Sequence, residues 1–155
     1  VSTTPTYDER LGVPFRWWVQ GTMLVATLWL AVVVAVPGAV AWVVTAIALA
    51  LLGVGLWSYG NARLRVDGAT FRAGRAHIHG QFLGVATALD ADEARWTAGP
   101  GADARAYLVL RPYLKRAVKV EITDPADPAP YWLVATRQPE ELAAALTALR
   151  ESVRH

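Results

Sequence analysis

From Trp17 to Ala62 the chain runs 46 residues without an Asp, Glu, Lys, Arg or His. The apolar part, Trp17 to Tyr59, is interrupted only at Pro37-Gly38. One helix of that length would measure about 64 Å, roughly twice the hydrocarbon thickness of a bilayer. Two helices joined at the Pro-Gly would each cross once. Proline disrupts a continuing helix and glycine accepts a turn. The pattern therefore predicts transmembrane spans over residues 17–36 and 39–59, preceded by an N-terminal segment of residues 1–16.

Beyond Tyr59 the period shortens. Residues 62–67 alternate charged and aliphatic side chains, and Asp67-Gly68 turns them into a second short strand over 70–72. Further strands are predicted over residues 76–79, 82–89, 105–110, 117–123 and 131–136. Ala91–Ala98 reads as a short helix capped by Asp90, with acids in its first turn. Pro139 opens a final helix in which Leu142, Leu146, Leu149 and Val153 form one stripe. The expected fold class is a membrane α-helical hairpin followed by an α+β domain over residues 62–155. That domain is read as a small antiparallel β-barrel or sandwich of about seven strands with a C-terminal helix, pleckstrin-homology-like. A sandwich of other connectivity would read similarly.

Composition sharpens the membrane reading. Hydrophobic residues make up 54% of the 155, and almost all charge lies outside residues 17–62. Residues 63–155 carry 13 Lys and Arg against 11 Asp and Glu, too small a surplus for a nucleic-acid-binding face. No cysteine is present, which rules out disulfides and thiolate chemistry. Trp17 and Trp18 open the first span, while Trp57 and Tyr59 close the second, so a hairpin places both sets at one interface. Arg10 and Arg16 precede the spans and Arg63, Arg65, Arg72 and Arg75 follow them, with no basic residue at the turn. The positive-inside rule then predicts a plasma-membrane protein with both termini cytoplasmic.

Ala39-Val40-Ala41 resembles a signal-peptide cleavage site, but the apolar run before it is longer than a signal core and a second span follows directly. Within the spans no ionisable group stands where a pump or proton relay needs one. Gly53 and Gly55, with Ala46 and Ala50, offer a close helix–helix seam, against the plainer reading of an alanine-rich composition.

Three stretches carry a resemblance: YDERLGVPFRWW (Tyr7–Trp18), AYLVLRPYLKRAVKVEITDP (Ala106–Pro125) and DPADPAPYWLVATRQPEELAAAL (Asp124–Leu146). Together they resemble the DUF3093 family over essentially the whole chain. The resemblance implies a small actinobacterial membrane protein of uncharacterised function, and it supplies no reaction, substrate or catalytic residue.

Candidate chemistry is sparse. His77 and His79 would project from one strand face, but two imidazoles make a poor metal site without further ligands, so no metal is expected. No nucleophile motif, zinc motif or phosphate loop occurs, and no catalytic residue or cofactor is expected. The loop Asp124–Pro130 carries three prolines and two Asx-turn formers. It either shapes a connection or, with Asp124, Asp127, Tyr131, Trp132 and Arg137, presents a rigid recognition edge to a protein partner. Arg111, Lys115, Arg116 and Lys119, together with Arg63, Arg65, Arg72 and Arg75, are candidates for anionic lipid, or else ordinary solvated charges.

The expectation is a non-enzymatic, membrane-anchored interaction module that binds a protein partner or the lipid surface. The alternative is an accessory subunit of an envelope enzyme or transporter, with the hairpin as its contact surface.

Overall fold

The computed structural model describes residues 6–36 and 38–155. It comprises two compact units, residues 12–61 and, on either side of them in the chain, residues 6–11 with 62–155.

The first unit is a pair of helices, α1 (Phe15–Ala35) and α2 (Ala39–Tyr59), each long and apolar enough to cross a membrane. The second matches the predicted span. The first starts two residues before the charge-free run, because Pro14 in extended conformation sets its N-terminus. Gly38, at a φ of 98°, precedes α2; its predicted partner in the break, Pro37, lies outside the described residues. Each helix gives one stripe to the other: Gly21, Val25, Trp29 and Val32 on α1 are partly covered, as are Thr45, Ala48 and Leu52 on α2, where Ala41 is buried. These positions recur at intervals of three and four, the spacing of a helix–helix seam. Trp29 and Trp42 meet at 5.7 Å between ring centroids. Gly53 and Gly55 have open space where a Cβ would stand, which agrees with the plainer reading of an alanine-rich composition rather than a close seam there. Thr22, Thr27 and Thr45 donate to the carbonyls of Trp18, Met23 and Ala41, which satisfies their hydroxyls within the helix.

The second unit holds two four-stranded sheets. Strands β1 (Tyr7–Arg10), β2 (Arg63–Asp67), β3 (Thr70–Ala73) and β4 (Ala76–His79) form an antiparallel meander in sequence order. Two-residue turns join β2 to β3 and β3 to β4. Gly68 and Gly74 stand first in them with φ of 58° and 62°, a conformation that costs other residues strain. After a short 3-10 turn at Gly80–Phe82 come β5 (Leu83–Leu89), α3 (Ala91–Ala98), β6 (Tyr107–Val109), β7 (Ala117–Ile122), β8 (Tyr131–Ala135) and α4 (Pro139–Arg154). The second sheet has the order β5-β7-β8-β6, and β6 runs parallel to β8.

The expected closed antiparallel barrel therefore does not form. Strand β8 inserts between β7 and β6, which makes one pairing parallel, and β1 adds an eighth strand from before the helices. The pleckstrin-homology-like reading is supported only in its order of strands followed by a helix. The main core is built from the inward positions of both sheets and α4: Leu64, Val66, Phe71, Val118, Val120, Trp132, Val134, Leu142 and Leu146. The last helix buries Leu142, Leu146 and Leu149 as its stripe predicts. Gly80 admits it, since a Cβ there would lie 3.0 Å from Leu149. Asp90 caps α3 through a capping box with Glu93.

Candidate functional site

Strand β1 alternates, with Tyr7 and Glu9 turned inward and Asp8 and Arg10 outward. A carboxylate facing a core must be hydrogen-bonded. Glu9 accepts from the Tyr7 hydroxyl at 2.7 Å, from the Thr136 hydroxyl, and from the Arg137 amide at 3.0 Å. Thr136 is 1% exposed and accepts in turn from the Gln138 amide at 3.1 Å. Burial, followed by the neighbouring Glu9 carboxylate, holds the Tyr7 phenol well above its ordinary titration range, so it stays a donor. Two further bonds fasten the same strand. Arg137 donates to the Arg10 carbonyl at 3.1 Å, and Tyr113 donates to the Leu11 carbonyl at 2.7 Å. Arg116 donates to the Arg137 carbonyl at 2.7 Å. Residues from all three stretches singled out in the sequence thus meet at the end of β1. The Tyr7 and Thr136 hydroxyls are buried, and the cluster forms a latch on the segment leading into α1.

Arg10 stands directly opposite Arg63 across the β1–β2 pair, and the Leu11 amide donates to the Ala62 carbonyl at 2.9 Å. The chain therefore leaves this unit and re-enters it at adjacent points. Gly74 donates to the Arg63 carbonyl at 2.9 Å, which brings the turn bearing Arg75 to the same end of the sheet.

On the outer face of the first sheet, Asp8, Arg65, Arg72 and His77 lie in one cross-strand row in direct register. Arg63 pairs with Asp8 at 3.4 Å and Arg65 with Asp67 at 3.1 Å. His77 and His79 are both exposed on the edge strand β4, and no group of three potential metal ligands occurs among the described residues.

The second basic set disperses. Arg111 donates to the Leu110 carbonyl, Arg116 is held at Arg137, and Lys115 is exposed. Lys119 lies half-buried on β7 with its ammonium 4.5 Å from the Tyr131 ring centroid, beneath α3 rather than beside the first sheet's outer face.

The proposed recognition edge does not assemble either. Asp124 and Asp127 accept from the Ala126 and Ala129 amides, at 2.8 and 2.9 Å, as Asx-turns that shape the loop. Trp132 is 3% exposed and packs on Phe71 and Tyr107, while Tyr131 is 7% exposed and its hydroxyl accepts from the Asp103 amide. These aromatics are core. Among the described residues of this unit the exposed aromatic is Trp96 on α3, beside an open groove of about 530 Å³ floored by Thr87, Leu89 and Lys119.

Sequence reasoning left out Tyr7, Glu9 and Thr136. The available signal was the in–out alternation of the YDER stretch, whose partners lie beyond the apolar run.

A family model described as "Protein of unknown function (DUF3093)" matches residues 6–146, nearly the whole chain. No curated protein and no solved structure matches it.

Proposed function

The chain belongs to the DUF3093 family, whose function is unknown, and from that premise we propose that it is a non-enzymatic, membrane-anchored interaction module acting at the anionic face of the plasma membrane. The observation that carries this reading is the pairing of β1 with β2 around the apolar helices. Two segments that pair in one sheet must lie on the same side of a bilayer, so the helices between them cross an even number of times. The charge-free run from Trp17 to Ala62 and the arginines on both its flanks favour the cytoplasmic side. The same pairing collects Arg10, Arg63 and Arg75 at the end where the chain passes into α1 and α2. Basic groups close to a leaflet rich in anionic lipid gain about 1 kcal/mol each.

The test uses the full chain in nanodiscs of purely zwitterionic lipid or of lipid with one third anionic headgroups. With no native cysteine, Glu151→Cys gives a single labelling site, and energy transfer to a lipid-borne acceptor reports how closely the domain approaches. Closer approach on anionic lipid, reversed by high salt, is expected. Equal transfer in both bilayers would remove the lipid reading.

A second reading, the accessory subunit, draws on an apolar groove of about 300 Å³ on the helix pair, lined by Trp29, Trp42, Val25 and Leu49. Replacing residues 15–59 with an unrelated hairpin abolishes activity of the host complex on that reading. On the first it leaves the domain's function intact.

A further inference from the structure

We infer that the surface docking on anionic lipid headgroups is the outer face of the β1–β4 sheet, with Arg72 at its centre. This rests on the membrane-anchored reading and names the surface that serves it. The sheet's alternation puts Leu64, Val66, Phe71, Ala73 and Ile78 inward and leaves a polar face outside. On that face Arg72 stands directly between Arg65 on one neighbouring strand and His77 on the other. Like charges directly opposite one another across strands destabilise a sheet. Asp8 and Asp67 answer Arg63 and Arg65, but Arg72 is exposed and has no ion pair among the described residues. The fold thus keeps an unanswered cation beside another arginine, an arrangement that an external anion relieves.

The shape of the face selects the anion. Side chains projecting from a four-stranded sheet form a broad open surface, and Arg72, His77 and His79 stand exposed on it. Such a surface suits a plane of phosphates better than one enclosed small ligand. The chain also keeps it near such a plane. Arg10 is five residues from the start of α1 and Arg63 four from the end of α2. Fully extended, those links reach only about 18 Å and 14 Å.

The rival surface is poorer. Arg111 and Arg116 spend donors on backbone carbonyls and Lys119 is laid over Tyr131, which leaves Lys115 as the one side chain of that set without a bond among the described residues.

The test places a fluorophore on the face through His79→Cys in the full chain and measures its quenching by headgroup-attached quenchers in the same two nanodisc compositions. Quenching in anionic nanodiscs is expected to fall in Arg72→Gln and Arg65→Gln, by about fivefold in the docked-to-undocked ratio for each charge removed. Arg72→Lys should retain it, and Lys115→Gln with Lys119→Gln should leave it unchanged. If the Glu151 label still reports anionic-dependent approach while the Arg65 and Arg72 variants quench like the parent, this surface is wrong and the membrane reading stands. If the lysine variants alone abolish docking, the surface lies on the other segment. If soluble glycerophosphate binds the parent and blocks docking no better than chloride at equal ionic strength, a discrete phosphate pocket is excluded and the planar surface is supported; specific blockade at low concentration overturns it.

Discussion

The Glu9 carboxylate and the Arg137 amide are 128 positions apart in sequence and meet at 3.0 Å. The same carboxylate takes the hydroxyls of Tyr7 and Thr136. One acidic side chain therefore fastens the strand that precedes the two apolar helices to the far end of the domain that follows them.

Removing it should release that strand. Glu9→Ala leaves two hydroxyls and an amide without their acceptor and is expected to cost about 3 kcal/mol or more. Glu9→Gln keeps the shape but points an amide N–H at one of the donors, for a smaller loss of about 1–2 kcal/mol. Hydrogen exchange checks both: amides of β1 and its partner β2 should exchange faster, while those of β7 and β8 change least. Uniform acceleration across both sheets would show that the latch is not local.

Alkaline pH should weaken the fold through Tyr7. Its phenol titrates above the ordinary value of 10.0 in the folded chain. Between those two values the unfolded state holds fewer protons, so stability is fully present below about pH 10 and declines as pH rises further. The slope from one such group is about 1.4 kcal/mol per pH unit. Tyr7→Phe should cost about 1 kcal/mol at neutral pH and then lose stability less steeply than the parent. Denaturation curves from pH 8 to 11 compare the two; parallel lines would sink the assignment.

Two glycines of the helix unit separate rigid from yielding contacts. A Cβ at Gly60 would lie 2.9 Å from the Val13 backbone nitrogen, whereas one at Gly21 would lie 2.8 Å from the end of the Leu52 side chain. Backbone cannot retreat as a leucine methyl can. Gly60→Ala is expected to cost about 1–3 kcal/mol and Gly21→Ala less. Thermal unfolding in detergent micelles ranks them, and the reverse order would contradict the structure.

Orientation is open to direct labelling. A cysteine at Glu151 should react with an impermeant maleimide only after cells are opened, and one at Gly38 should react in intact cells. Reaction of both in intact cells would refute the cytoplasmic placement.

How much of this was legible in the sequence follows the range of each interaction. The second long apolar helix, the Asp90 cap of α3 and the α4 stripe depend on neighbours within a few residues, and the pattern located each of them. Strand β1 is four residues long and pairs across 52 intervening residues with β2, a distance over which local pattern carries no register. Tyr131 and Trp132 were misplaced for a different reason. Every residue of β8 is buried because both faces of that central strand are covered, so it shows no alternation. Its aromatic pair, next to a proline-rich loop, then looks like a surface edge. The basic residues were all visible as charges, but only the strand registers show which share a face.

Because β1 is made before the two helices and its partner β2 after them, the unit holding the two sheets cannot be finished until both helices have been synthesised. If only one helix inserted, β1 and β2 would be stranded on opposite sides of the bilayer. The latch at Glu9 would stay open, and β2 would keep a bare edge exposed to proteases and to other chains. On the membrane-anchored reading, completion of the sheet is thus a check, built into the fold itself, that both helices have inserted.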